Sequence, residues 1–356
     1  MSAPTLPVKL PPFTVEAFFS AQEAAETIPW HIADYAFREL WEPIPTGAGT
    51  RGKFLSGPDA GKPVVVGIVD TGAPKDHPDL DGAIREAKDF SGSLSGPFDV
   101  QGHGTHVGGI VAARYGNGLG ITGAAPDAQL VYAKGLDDNG TGSDAGIAAA
   151  IDWLVGRGDI SVINLSLGSD MHSPAIQQAC DRAAAAKVPI VAAAGNSGGR
   201  INCPGNLPTV ICVGAVDRQR HVAPFSCRGP EMDIAAPGVD ILSSFVNGTY
   251  AKLSGTSMAA PWVAAVVALM IAADPTIDRS LEAIFSRIKK AAVDEGDPGH
   301  DYYFGWGLVN PAKAVAVPLP PVQGPPASGG GTVPVPGSPA DQCGCVLRGL
   351  AKLIGA

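Results

Sequence analysis

Short, unbroken apolar runs alternate along this chain with Ala-rich segments of helical length, and this alternation restricts the fold more than any other feature. Val64 to Val69, Ile160 to Leu165 and Pro189 to Ala194 have the length of strands and the all-apolar make-up of strands buried on both faces. Ser143 to Val155, Pro174 to Ala186 and Met258 to Ala273 are rich in alanine and long enough for helices. Strands of that kind separated by helices predict an α/β fold, with a mostly parallel central sheet and helices on both faces. The 356 residues, 45% of them hydrophobic, suffice for one large domain with additional ends. No fixed-period repeat is visible.

Candidate chemical groups fall where such a fold builds its sites. Asp70 closes the run Val64 to Val69, so its carboxylate is expected at the carboxyl end of a strand. His103 opens a segment in which Val107, Ile110 and Val111 are separated by small residues, the pattern of a helix packed closely on a sheet. Ser257 stands at the start of a further helix, where its own N–H lacks an intrahelical acceptor. A serine hydroxyl becomes an effective nucleophile only when an imidazole takes its proton and a carboxylate fixes the imidazole's tautomer. Singly, these residues have plainer uses as turn, cap or structural groups. Jointly they point to nucleophilic catalysis. The order Asp, His, Ser and the alanine at position 259 exclude the α/β-hydrolase pattern, which runs Ser, Asp, His with Gly-x-Ser-x-Gly.

Asp70-Thr71-Gly72, His103-Gly104-Thr105-His106 and Gly255-Thr256-Ser257-Met258-Ala259 resemble, in motif and order, the signature segments of subtilisin-like serine proteases. The resemblance covers Ile28 to Ala316 and is nearest in character to the intracellular subtilisins. It implies a three-layer α/β fold and a serine endopeptidase acting on peptides or proteins, with Asp70, His103 and Ser257 catalytic. Asn196 would join the Ser257 N–H as an oxyanion donor. Ser166-Leu167-Gly168 resembles the wall of the primary specificity pocket, and Gly140-Thr141-Gly142 the opposite edge, where a substrate backbone adds as a strand. Leu136 and Ile147 match the lining of a distal pocket, but Asp144 stands where the family commonly has an aromatic. Between Asn196 and Pro204 the chain is shorter than in secreted bacterial relatives, so the depth of the primary pocket does not carry over. His106 resembles the family's second, structural histidine.

The resemblance also implies calcium. His77-Pro78-Asp79-Leu80 and the loop Gly116 to Ile121 resemble the family's ion-binding segments, which makes Asp79 and Asn117 the candidate ligands. The loop is one residue longer than the pattern, and a plain surface turn is the competing reading. Leu10-Pro11-Pro12-Phe13-Thr14-Val15 resembles the Leu-Ile-Pro-Tyr segment that lies across the active site of intracellular subtilisins, so residues 10–15 are expected to inhibit their own enzyme. A Pro-rich disordered leader is the alternative. A transamidase or macrocyclase sharing the acyl-enzyme, and a non-catalytic binding module, are the other functions open to this fold.

The expected organisation is an N-terminal extension over 1–27, a catalytic domain over 28–317, a Pro/Gly-rich linker over 318–340 and a tail over 341–356. The tail is either a short amphipathic helix or a frayed end, and it carries Cys343 and Cys345. With 25 Lys and Arg against 34 Asp and Glu, the net charge of −9 makes nucleic acid a poor partner. No run approaches the ~18 uninterrupted apolar residues of a membrane span, and Met1 to Lys9 lacks the pattern of a secretory signal. The expectation is a cytoplasmic protein whose scattered cysteines are reduced.

Overall fold

The structure, a computed structural model, describes residues 6–20, 26–41, 51–53 and 58–316. The expected linker and tail, with Cys343 and Cys345, lie outside the described residues. In chain order the elements begin with strands Pro7–Lys9 (β1) and Thr14–Phe19 (β2), then short helices Trp30–Ala33 (α1) and Phe37–Trp41 (α2). Val65–Asp70 (β3), Ile84–Asp89 (β4), His103–Ala112 (α3), Gln129–Lys134 (β5), Thr141–Ser143 (β6), Asp144–Gly156 (α4), Val162–Leu165 (β7), Pro174–Ala185 (α5) and Ile190–Ala193 (β8) follow. Ile211–Val216 (β9), Ile234–Pro237 (β10), Ile241–Phe245 (β11), Thr249–Ser254 (β12), Thr256–Ala273 (α6), Leu281–Ala291 (α7) and Pro311–Ala316 (α8) complete it.

The expected sheet is present, with seven strands in the order β10-β9-β8-β7-β3-β5-β4, and every neighbouring pair is parallel. From β3 the order runs through β5 and β4 to one edge and through β7 to the other. The carboxyl ends of β3 and β7 therefore flank a topological switch point, the place where open α/β sheets hold ligands. The period-2 alternation of β3 does the rest. Val65, Gly67 and Val69 face α4, where a Cβ on Gly67 would meet Leu154 at 3.0 Å, while Val66, Ile68 and Asp70 face the other side. On that side α3 and α6 pack against each other, and α6 runs under β7, β8, β9 and β10.

α6 is apolar all round and buried along nearly its whole length, as a core helix must be. Among the described residues it is the helix long and apolar enough to cross a membrane, and here it is enclosed by protein. It starts at Thr256, two residues before the start expected from the apolar pattern, so Ser257 sits within its first turn. α4 and α5 cover the opposite face, each begun by a serine, Ser143 and Ser173, whose hydroxyl accepts an N–H from the first turn. The described residues belong to one compact unit, so residues before position 28 pack with the rest of the domain.

Candidate active site

The switch point brings Asp70 and His103 together. Asp70 Oδ1 lies 2.8 Å from His103 Nδ1, with both side chains fully buried. The same oxygen accepts the Thr71 N–H at 2.7 Å. Asp70 Oδ2 and His103 Nε2 have no hydrogen-bond partner among the described residues. The first turn of α3 can approach this closely because residue 104 is glycine; a Cβ there would stand 2.4 Å from the Gly72 carbonyl oxygen.

A second carboxylate, missed in the sequence, holds the two elements in place. Asp99 Oδ1 accepts from Thr71 Oγ1 and the Gln101 and Gly102 N–H groups, and its Oδ2 accepts from the N–H and hydroxyl of Thr105. Thr71 Oγ1 in turn accepts the Gly104 N–H at 2.9 Å. The residue after Asp70 and the first turn of His103's helix are thus tied to one buried group. The available signal was only an aspartate four residues ahead of a helix start, outside the N-cap position, which is Gly102. Lys134, also fully buried, donates to the Thr71 carbonyl and to Asp138. One turn along α3, His106 sets Nε2 3.0 Å from the Ile241 and Ala251 carbonyls. Burial pushes its pKa down to about 3, so it is neutral and donates from Nε2.

Ser257 is bound on both sides to Ser166. Pro261 lacks the N–H that would close a helical bond to the carbonyl of Ser257, and Ser166 Oγ donates to that carbonyl instead, at 2.8 Å. Asn164 Nδ2 orients the Ser166 hydroxyl. In return Ser257 Oγ donates to the Ser166 carbonyl at 3.3 Å. Asn196 follows β8. Its Oδ1 accepts from the Thr256 N–H at 2.8 Å and the Thr256 hydroxyl at 2.7 Å, which turns the amide N–H groups outward to the cleft. There Nδ2 donates to the carbonyl of Pro12 at 2.7 Å.

The chain's own N-terminal segment fills the cleft. β1 pairs antiparallel with β6, Val8 opposite Gly142 and Lys9 opposite Thr141. On its other side Lys9 exchanges both backbone hydrogen bonds with Gly168, while the Leu10 N–H donates to the Gly140 carbonyl. The two expected edges, 140–142 and 166–168, thus enclose one extended strand. Val8 is buried in the cluster that contains Leu136 and Ile147, the expected lining of the distal pocket. Phe13 lies against His103, ring centroids 5.1 Å apart. Beyond it β2 pairs antiparallel with β12, Thr14 opposite Ser254 and Phe19 opposite Tyr250.

Asp79 and Asn117 also meet, but as a hydrogen-bonded latch. Asn117 Nδ2 donates to Asp79 Oδ1 at 2.8 Å and the Ile121 N–H to Oδ2 at 2.7 Å. Asn117 Oδ1 is turned to the Leu119 N–H. Glu26 accepts the Gly116 and Gly118 N–H groups. Burial raises the Asp79 pKa to about 6 against the opposing effect of these hydrogen bonds. A calcium ion needs a shell of oxygens, whereas the groups facing this carboxylate are N–H donors. The residues as arranged do not fit the ion.

A parallel three-layer fold with an Asp-His pair and a helix-start serine at its switch point defines a serine peptidase. Residues 61–307 match the subtilase family. Similar proteins include subtilisin DY of Bacillus licheniformis, 41% identical over 70% of this chain and 90% of that protein. A thermostable alkaline protease of Halalkalibacterium halodurans is 38% identical, covering 82% and 74% of the two chains, and subtilisin E of Bacillus subtilis is 34% identical, covering 83% and 73%. The chain belongs to the subtilase family and is a serine endopeptidase.

Proposed function

We propose that Ser257 is the nucleophile, His103 its general base and then acid, and Asp70 the carboxylate that fixes the imidazole. His103 Nε2 takes the hydroxyl proton as Ser257 Oγ attacks a peptide carbonyl carbon. Asn196 Nδ2 and the Ser257 N–H hold the oxyanion, and the imidazolium then protonates the departing amine. Water, deprotonated by His103, releases the acyl group and restores the serine. The observation that carries this assignment is the 2.8 Å contact inside the buried Asp70–His103 pair, whose Nε2 is left open.

Residues 10–15 are part of the same proposal, as a segment that occupies the groove without being cut. The antiparallel register that sets Lys9 opposite Gly168 sets Pro11 opposite Ser166. A substrate residue there would donate its N–H to the Ser166 carbonyl and free the Ser257 hydroxyl for His103. Pro11 has no N–H to give, and the hydroxyl is engaged by that carbonyl. The carbonyl on Asn196 belongs to Pro12, one residue out of step with the strand. The leader is therefore held in register on its acyl side and out of register at the reactive centre. Cys180, Cys203, Cys212 and Cys227 are buried and free, and reduced cysteines in a cytoplasmic protein are part of the same proposal.

The test is labelling of the full chain with a fluorophosphonate. Slow labelling is expected, faster by severalfold when Val8→Asp and Leu10→Asp place carboxylates in the leader's apolar contacts, and none in Ser257→Ala. Equal rates with and without the leader substitutions would sink the inhibitory reading; labelling that persists in Ser257→Ala would sink the nucleophile.

A further inference from the structure

Asp144 broke the expected apolar pattern of the distal pocket, and the structure gives it a different task. At this residue β6 turns into α4, so its carbonyl is committed to the helix and lost to the groove. The carboxylate takes the carbonyl's place. The Asp144 N–H donates to the Leu6 carbonyl at 3.0 Å, as a strand residue would, and the Leu6 N–H donates to Asp144 Oδ1 at 3.2 Å. A carboxylate in the first turn of a helix is common for reasons of charge. That accounts for the Ala145 N–H on Oδ1 but not for the bond to a groove occupant.

The side chain is built to stay there. It is only 8% exposed, and Oδ2 accepts from the hydroxyl of Ser173, itself buried, at 3.1 Å. Its partners among the described residues are all neutral. Other acceptors that the groove offers to the leader's N–H groups on this side, among them the carbonyls of Gly168 and Gly140, are neutral. The acyl side of the groove thus ends on a full negative charge aimed at a backbone nitrogen.

Accepting the leader as a groove occupant, we propose that Asp144 is a receptor for the α-ammonium group of a peptide substrate whose N-terminus lies six residues before the cleaved bond. The count follows from the register: Pro11 faces Ser166, and Leu6 to Pro11 is six residues counted inclusively. A mid-chain amide offers Asp144 one neutral N–H. A chain that begins there offers an ammonium, whose hydrogen bond to a carboxylate is charge-assisted on both sides. The enzyme then has a second mode beside internal cleavage, the release of six-residue fragments from free N-termini.

The experiment is a calorimetric titration of the full chain carrying Ser257→Ala, which prevents turnover, with Val8→Asp and Leu10→Asp to release the leader. The probes are the hexapeptide with the sequence of residues 6–11, with a free or an acetylated amine, and versions shortened or lengthened by one residue at the amino end. The free hexapeptide should bind about tenfold tighter than its acetylated form, Asp144→Asn should abolish the difference, and the other lengths should show none. Equal affinity of the two hexapeptides, no binding of either, or a preference that survives Asp144→Asn would overturn the proposal. The leader reading fails separately, if the chain with Ser257→Ala alone binds the hexapeptide as well as the leader-released chain does.

Discussion

Asp70 and Asp79 are both fully buried carboxylates, and they are finished in opposite ways. Asp79 has a donor on each oxygen, from Asn117 and from Ile121. Asp70 has its donors on Oδ1, while its Oδ2 and the Nε2 of its partner His103 are open among the described residues. Buried polar groups are ordinarily satisfied, and exceptions call for a reason. At Asp79 the hydrogen-bonding capacity is consumed in pinning a loop. At Asp70 and His103 part of it is left open, and the open Nε2 is the atom the proposed proton transfer uses.

The largest test of that contrast exchanges the two. In the chain with a loosened leader, Asp70→Asn should lower kcat by about four orders of magnitude through loss of the correct imidazole tautomer, with only a small change in Tm. Asp79→Ala should do the reverse. It strands the Asn117 amide and the Ile121 N–H at a cost of about 1–3 kcal/mol, visible in urea unfolding, and leaves kcat within about twofold. Asn196→Ala stands between them, with kcat reduced by about two to three orders of magnitude, the loss seen on removing that donor in a subtilisin. A stability loss at Asp70 as large as that at Asp79 would erase the distinction.

The placement of Asp70, His103 and Ser257 was legible because each lies in a short local motif at a strand end or helix start, whereas the role proposed for Asn196 came only through resemblance. The sheet was legible because its strands are apolar throughout. What escaped depends on contacts distant in the chain. Asp99 lies four residues ahead of α3, outside the N-cap position, and nothing near it shows that it reaches Thr71. Ser166 acts on Ser257 only because Pro261, five residues inside the helix, leaves a carbonyl free. Asp144 could be read as a misfit in an apolar pocket but not as a substitute for a carbonyl, since that requires the strand-to-helix change at its own position. The cross-strand position of the leader was available only through resemblance: Thr14 to Phe19 has strand-forming residues, but their partner, β12, lies more than two hundred residues away.

Two further histidines extend the comparison to acid. His31 and His106 are fully buried without a carboxylate beside them, and burial pushes the pKa of each down to about 3. The unfolded chain, with values near 6.5, takes up these protons first. Their contribution to stability is therefore complete above about pH 6.5 and is lost as pH falls toward 3, at up to ~1.4 kcal/mol per pH unit for each histidine. Tm measured from pH 7 to pH 4 should fall, and His31→Leu should flatten the slope by the equivalent of one proton. An unchanged slope would mean that His31 is already protonated or solvated.

The smallest expected effect bears on the contrast most directly. Chelation of divalent ions should leave Tm unchanged within about 1 °C, because the loop of residues 116–121 turns N–H groups toward Asp79 and Glu26 and a cation would need carbonyls there. To admit calcium, the peptide units at Gly116, Gly118 and Ile121 would have to turn over, breaking the hydrogen bonds that now close the latch. A Tm that fell by several degrees with chelator and recovered on adding calcium would show that this inversion occurs. Asp79 would then belong with Asp70, among carboxylates held for a ligand, and the division between an open site and a closed latch would fail.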